Sequence, residues 1–233
     1  MFLREIIFYI IFYLWTIIYF TIFSAVFLFS VKFTSKISFF WSKSVIYIIK
    51  YILRINYKIQ GSFNLKKQPA IIASNHQSAW ETFFLYTLFE NPIYILKKEL
   101  NKIPILSFYF KKLGFIYVDR KMTFKTSKII LTKINNNEIN NKRTIIIFPE
   151  GTRTSPGEKN NLGTGVFLLY KHLNLPIITI RHNSGNFWLN QKIKKKIGTI
   201  NLEVFPAIQP GKKKENVMNI IENYLYKNQS GKF

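Results

Sequence analysis

The sequence predicts an α/β fold: a largely parallel sheet with flanking helices, preceded by N-terminal hydrophobic membrane helices. Three observations predict it. The run from Ile6 to Val31 carries no charged residue. Beyond about Tyr57, short apolar, β-branched runs alternate with longer amphipathic ones, the pattern of strands alternating with helices. Four of the strand ends deliver a histidine or a cluster of charged residues, and ligands bind beyond the carboxyl ends of strands in such sheets.

The first element is the apolar run itself. It is long enough to cross a bilayer core, which needs about 20 apolar residues. A signal peptide would have a shorter apolar region, and Ser24-Ala25 is only a weak cleavage site, so a retained membrane helix is the expectation. Ile37–Leu53 follows, apolar and aromatic but interrupted by Lys43 and Lys50. It reads as an interfacial helix. Two arrangements stay open: a first segment that spans, or a hairpin of both segments buried in one leaflet. Lys32, Lys36, Lys43, Lys50 and Arg54 place five basic residues after the first segment. If that segment spans, they put the main domain on the cytoplasmic face. The division expected is therefore residues 1–56 as membrane-anchoring helices and 57–233 as the catalytic domain.

In the second part, strands are expected at Ala70–Ser74, Ile93–Leu96, Phe115–Val118, Thr144–Phe148, Pro176–Ile180 and Ile200–Phe205. Helices are expected at Ala79–Phe89, Ile105–Leu113, Thr123–Asn135, Gly165–Leu173 and Lys213–Tyr226. The asparagine-rich stretches at 135–137 and 140–141 read as polar loop.

Composition narrows the chemistry. The 233 residues hold no cysteine, which excludes disulfides, a thiolate nucleophile and cysteine-based metal sites. The formal charge is +23, from 34 basic and 11 acidic residues. Such a balance attracts polyanions, although Lys, Asn and Ile are enriched together, so part of it is compositional. Zinc-finger spacing and aromatic-glycine RNA-binding motifs are both absent. An anionic membrane surface, not nucleic acid, is the expected partner.

His76 and Glu81 are the first candidate pair. They lie in Ser74-Asn75-His76-Gln77-Ser78-Ala79-Trp80-Glu81, straight after an apolar run. Residues five apart do not share a helix face, so His76 is expected ahead of a helix and Glu81 in its first turn. A general base needs an accessible imidazole nitrogen and a partner that fixes its tautomer. The same residues also form a capping box, with Ser78 as N-cap and Glu81 reaching back to its amide. Both readings stay open. Phe148-Pro149-Glu150-Gly151-Thr152-Arg153 ends another strand, and Thr152 and Arg153 supply donors suited to a phosphate. Gly114 through Arg120 repeats that layout, and Lys97 follows a fourth strand. In a parallel sheet these ends gather at one edge. His76, His172 and His182 are not spaced as a metal-ligand set.

The order and content of these segments resemble the glycerolipid acyltransferases, and most closely the 1-acylglycerol-3-phosphate acyltransferases. That family carries His-x4-Asp, then a Gly-rich strand ending in arginine, then Phe-Pro-Glu-Gly-Thr-Arg, then an apolar strand containing proline. Here they stand as His76 with Glu81, Gly114–Arg120, Phe148–Arg153 complete, and Leu175-Pro176-Ile177-Ile178. Lys97-Lys98-Glu99-Leu100 with Ile103-Pro104 resembles the family's lysine-containing segment. The resemblance covers roughly residues 57 to 210 and extends to hydrophobic N-terminal helices. Glu81 departs from it, since the family more often has Asp there.

The resemblance implies transfer of a fatty acyl group from acyl-CoA or acyl carrier protein to the sn-2 hydroxyl of 1-acylglycerol 3-phosphate, giving phosphatidic acid. His76 would be the base and Glu81 its partner. Arg120, Glu150, Gly151, Thr152 and Arg153 would form the phosphate site, with Glu150 positioning the loop or a hydroxyl. Lys97 or backbone amides would meet the oxyanion or phosphate. No cofactor or metal is required. The expected location is the cytoplasmic membrane. Trp80, Phe83 and Phe84 are either acyl-tunnel wall or plain core. Two rivals remain: another acceptor, such as glycerol 3-phosphate or a lyso-ornithine lipid, and a basic membrane-anchored binding module.

Overall fold

The computed structural model describes residues 2–66, 69–118, 123–136, 142–188 and 193–226. Seven strands are β1 (Ile55–Gln60), β2 (Ile71–Ser74), β3 (Ile93–Lys97), β4 (Ile116–Val118), β5 (Ile145–Ile147), β6 (Ile177–His182) and β7 (Gly198–Val204). The α-helices among the described residues are α1 (Phe2–Ile22), α2 (Val31–Ile48), α3 (Trp80–Tyr86), α4 (Pro104–Lys112), α5 (Thr123–Asn135), α6 (Gly165–Leu173) and α7 (Lys214–Tyr226).

The strands form one sheet in the order β1-β7-β6-β2-β5-β3-β4. Strands β4, β3, β5, β2 and β6 run parallel, and β7 turns antiparallel against β6. The central strands β2, β5 and β6 are buried along their whole length. That explains why they read as unbroken apolar runs: both faces are covered by helices. Alternate residues feed two cores. Ile72, Ile146 and Ile178 pack with Trp80, Phe84, Ile49 and Phe8 on one face. Ile71, Ile145 and Ile177 pack with Val166, Leu169, Val217 and Ile221 on the other.

Two features depart from the expected pattern. The edge strand β1 was not anticipated; its residues mostly face solvent, and it lacks the unbroken apolar run of the central strands. It begins after Arg54, which turns the chain through a left-handed φ of 56° at the end of a π-helical turn, Ile49–Leu53. It pairs parallel with β7, so this pair runs opposite to the rest.

The N-terminal segments form a hairpin through a short 3-10 turn, Ser24–Leu28. Ser30 caps α2 by accepting from Phe33 N–H at 3.2 Å. Leu3–Ile22 is long and apolar enough to cross a membrane. Yet α1 is docked at both ends. At its start, Arg4 donates to Lys195 O at 2.9 Å, and Lys195 N–H donates to Glu5 at 3.1 Å. At its finish, Tyr109 donates to Phe23 O at 2.5 Å, and its ring lies 4.5 Å from Phe20. Leu3, Ile7, Ile10, Leu14, Ile17 and Ile22 recur every three to five residues and are all exposed. They form one aliphatic stripe facing away from the domain.

Candidate active site

The chain leaves β2 at Ser74 and is locked at once to the end of β6. Asn75 Nδ2 donates to His182 O at 2.8 Å, and His182 N–H donates to Asn75 Oδ1 at 3.0 Å. The His182 ring completes the lock. Its Nε2 bonds Asn75 O at 2.9 Å, while Ser184 N–H approaches Nδ1 at 3.4 Å. That pattern fits a neutral ring with its proton on Nε2. Burial pushes the His182 pKa down, outweighing the upward pull of Glu81 and of the Asn75 backbone.

This lock fixes His76 at the sheet edge, where its ring stacks on Phe148 with centroids 4.3 Å apart. His76 Nδ1 lies 2.9 Å from Glu81 Oε1. The backbone N–H groups of Gln77 and Ser78 donate to the same oxygen at 2.8 and 2.7 Å. The hydroxyls of Ser78 and Ser184 donate to Glu81 Oε2, the latter at 2.8 Å. Five donors thus surround a fully buried carboxylate. Burial alone would raise the Glu81 pKa, but the neighbouring imidazoles of His182 and His76 and the Ser78 bonds hold it well below the usual carboxylate range. A carboxylate so held stays ionised and fixes the His76 proton on Nδ1, which leaves Nε2 as the basic nitrogen. The two readings of Glu81 are therefore compatible. It reaches back to the Ser78 amide, although the helix cap falls at Ala79, one residue past the expected Ser78, and it also partners His76. The Ser78 hydroxyl departs from the capping-box motif by accepting from Trp80 N–H at 3.1 Å.

The Phe148–Arg153 segment leaves β5, the strand next to β2. Glu150, grouped with the phosphate site in the sequence reading as the residue positioning the loop or a hydroxyl, turns inward. Its Oε2 accepts His76 N–H at 2.7 Å, and its Oε1 accepts the Tyr226 hydroxyl at 2.9 Å. Thr154 closes the corner, its N–H donating to His76 O at 2.8 Å. Glu150 therefore braces the histidine backbone from beneath. Burial pushes the Glu150 carboxyl up to about 7, against the lowering effect of its bonds from His76 N–H, Tyr226 and Thr154. Gly151 takes a left-handed φ of 69°, a conformation that favours glycine. The turn it makes presents Thr152 and Arg153, both exposed, on the side opposite Glu150's anchor. Arg120 lies outside the described residues.

A cavity of about 560 Å³ joins these parts. His76, Gly151, Thr152, Arg153 and Lys97 line one portion of it. The rest is mostly apolar, walled by Phe83, Leu106, Phe110 and Phe115, and by Phe20 and Trp41 from α1 and α2, with Ser38, Ser42 and Thr82 among them. Of the aromatics left open by the sequence, Phe83 lines the cavity. Trp80 and Phe84 do not; they stack on each other at 4.5 Å within the core. Among the described residues, no group of three or more His, Asp or Glu side chains could hold a metal ion.

Sequence reasoning missed Ser184, Thr154 and Tyr226, and gave His182 no role. His182, Ser184 and Tyr226 are brought in from far along the chain with no local pattern to mark them, while Thr154 sits one residue past the Phe148–Arg153 segment.

Comparison with known proteins gives the family and the fold. A family model described as Acyltransferase matches residues 56–183, more than half of the chain. The chain is 33% identical over 168 residues to the 1-acyl-sn-glycerol-3-phosphate acyltransferase of Pseudomonas aeruginosa, covering 72% of this chain and 65% of that protein. It is 32% identical over 139 residues to the enzyme of that name from Saccharomyces cerevisiae, covering 58% and 45%. With the Borreliella burgdorferi protein of that name the identity is 28% over 200 residues, covering 82% and 79%. The chain thus spans just under two thirds of the Pseudomonas relative and under half of the yeast one. The crystal structure of the 1-acyl-sn-glycerophosphate acyltransferase from Thermotoga maritima superposes with a TM-score of 0.72 over 97% of this chain and 94% of that one. At 20% identity that likeness speaks for the fold. With the family model centred on the strands that carry His76, Glu81 and the Phe148–Arg153 loop, the chain belongs to the acyltransferase family.

Proposed function

We propose that the protein transfers a fatty acyl group from an acyl thioester to the free sn-2 hydroxyl of 1-acylglycerol 3-phosphate, making phosphatidic acid for phospholipid synthesis. One observation carries the reading. The ordered His76–Glu81 pair opens on a cavity with phosphate-type donors at one part and a long apolar wall at the rest. The names of the Pseudomonas, yeast and Borreliella relatives point to the same acceptor.

In the reaction, His76 Nε2 takes the proton from the acceptor hydroxyl as its oxygen attacks the thioester carbonyl. The carbon–sulfur bond then breaks, the ester forms, and His76 returns the proton to the departing thiolate. Ionised Glu81 stabilises the imidazolium formed in between. Thr152 and Arg153 hold the acceptor phosphate, and Lys97 at the same cavity meets the phosphate or the oxyanion. Arg120 joins this grip by its place in the motif. Glu150 positions His76. No metal or cofactor takes part; the donor is acyl-CoA or acyl carrier protein.

The apolar stripe of α1, docked at both ends, favours a hairpin lying in one leaflet over a helix that crosses. The lysines of the second segment support placement at the cytoplasmic face of the inner membrane. Purified protein offered a labelled acyl donor with lysophosphatidate, glycerol 3-phosphate and a lyso-ornithine lipid tests the acceptor. Turnover of lysophosphatidate is expected. Turnover of another acceptor alone would replace the proposed substrate.

A further inference from the structure

Helix α4 is two-faced. Leu106, Tyr109, Phe110 and Leu113 line the cavity. On the outer side, Ile105 and Phe108, three residues apart and so on one helix face, are 46% and 64% exposed, and Ile103 just before them is 43% exposed. Single exposed apolar residues need no explanation. These adjoin a larger surface. Tyr109 bolts α4 to the end of α1 through Phe20 and Phe23, and α4 packs against the Ser24–Leu28 turn. There Ile22 and Leu28 are 70% and 73% exposed. The aliphatic stripe of α1 therefore continues onto α4. Lys98, Lys102 and Lys111, all exposed, flank the apolar residues of this segment.

Resting on the membrane-bound acyltransferase reading above, we propose that the outer face of α4 is a second lipid-contact surface, which seats the wall of the acyl cavity in the leaflet that holds α1. Apolar side chains rimmed by lysines match the boundary between acyl chains and anionic headgroups. A protein partner would need an apolar patch of its own; the bilayer already implied by α1 covers α4 with no further component.

The absence of native cysteine makes the test direct. Phe108→Cys and Glu215→Cys each carry one environment-sensitive dye; Glu215 lies on α7, which packs on the opposite face of the sheet. On mixing with phosphatidylcholine vesicles containing phosphatidylglycerol, the dye at 108 is expected to shift to the blue and brighten, while the dye at 215 stays unchanged. An unshifted dye at 108 on vesicle-bound protein overturns the proposal. In a second arm, Ile105→Ser/Phe108→Ser is expected to bind the same vesicles roughly tenfold more weakly, yet to keep native turnover of a short-chain, water-soluble lysophosphatidate. Native vesicle affinity in that variant also overturns it. Both readouts of binding are independent of turnover. A native protein inert toward every lysolipid would refute the proposed reaction while the dye still decides the contact.

Discussion

Replacing Glu81 by Gln isolates the charge from the geometry. The amide oxygen can keep the three donors that now meet Oε1, and the amide nitrogen can face the Ser78 and Ser184 hydroxyls, which rotate to accept. What is lost is the anion beside the imidazolium. At an effective dielectric of about 20, two unit charges about 4 Å apart attract by about 4 kcal/mol. A neutral hydrogen bond still contributes about 1 kcal/mol where a charged one contributes about 2. The net loss of transition-state stabilisation is about 2–4 kcal/mol, or roughly 30- to 1000-fold in kcat. KM should barely move, because Thr152, Arg153 and the cavity wall are untouched. Steady-state acyl transfer from a labelled thioester to lysophosphatidate reads both constants, and thermal unfolding in detergent reads the fold. Near-native kcat in Glu81→Gln, with an unfolding temperature that drops, would refute the argument and reduce Glu81 to a helix cap.

Other outcomes follow from the supporting residues. Ser184→Ala removes one donor to an ionised carboxylate, so it should lower stability by about 1–3 kcal/mol by denaturant unfolding and weaken turnover less than Glu81→Gln does. Glu150→Gln should become relatively more stable than the native protein as pH rises. The native carboxyl has its pKa raised by burial to about 7, so its stabilising protonated form is complete below the unfolded value near 4.5 and lost as pH passes 7. The gap approaches about 3 kcal/mol by pH 8 in unfolding experiments, and a gap independent of pH would rule out the buried titration. Tyr226→Phe leaves Glu150 Oε1 without its hydroxyl partner; kcat should fall more than KM changes, and the pH dependence of stability should shift. Asn75→Ala breaks both of its side-chain bonds to the His182 backbone and should cost about 1–3 kcal/mol in stability together with most of the activity.

The parts of this molecule legible in the sequence are those whose signal is local. Strands β2, β5 and β6 are buried on both faces, so their composition alone announces them. His76 and Glu81 sit five residues apart across a helix start, and the capping spacing marked where the turn falls. The edge strand β1 was passed over because, with Asn56, Tyr57 and Lys58 facing solvent, it lacks the unbroken apolar run that announces the buried strands. The reversal of β7 against β6 was equally hidden, since strand direction follows from the connection and leaves no trace in composition. Glu150 holds the loop, but the group it braces was not legible in the sequence. Its neighbours Thr152 and Arg153 do face the cavity, but the left-handed turn at Gly151 sends Glu150 the other way, toward the His76 amide and Tyr226. Ser184 and Tyr226 reach the site from elements more than seventy residues away from the groups they bond. Only the folded sheet brings them in.

The central claim is that His76 removes the acceptor proton. Purified His76→Ala, compared with the native protein for acyl transfer to lysophosphatidate, tests it most directly. A fall in kcat of about 10²- to 10⁴-fold is expected, with vesicle binding and unfolding temperature retained. Native-like turnover in that variant would contradict it.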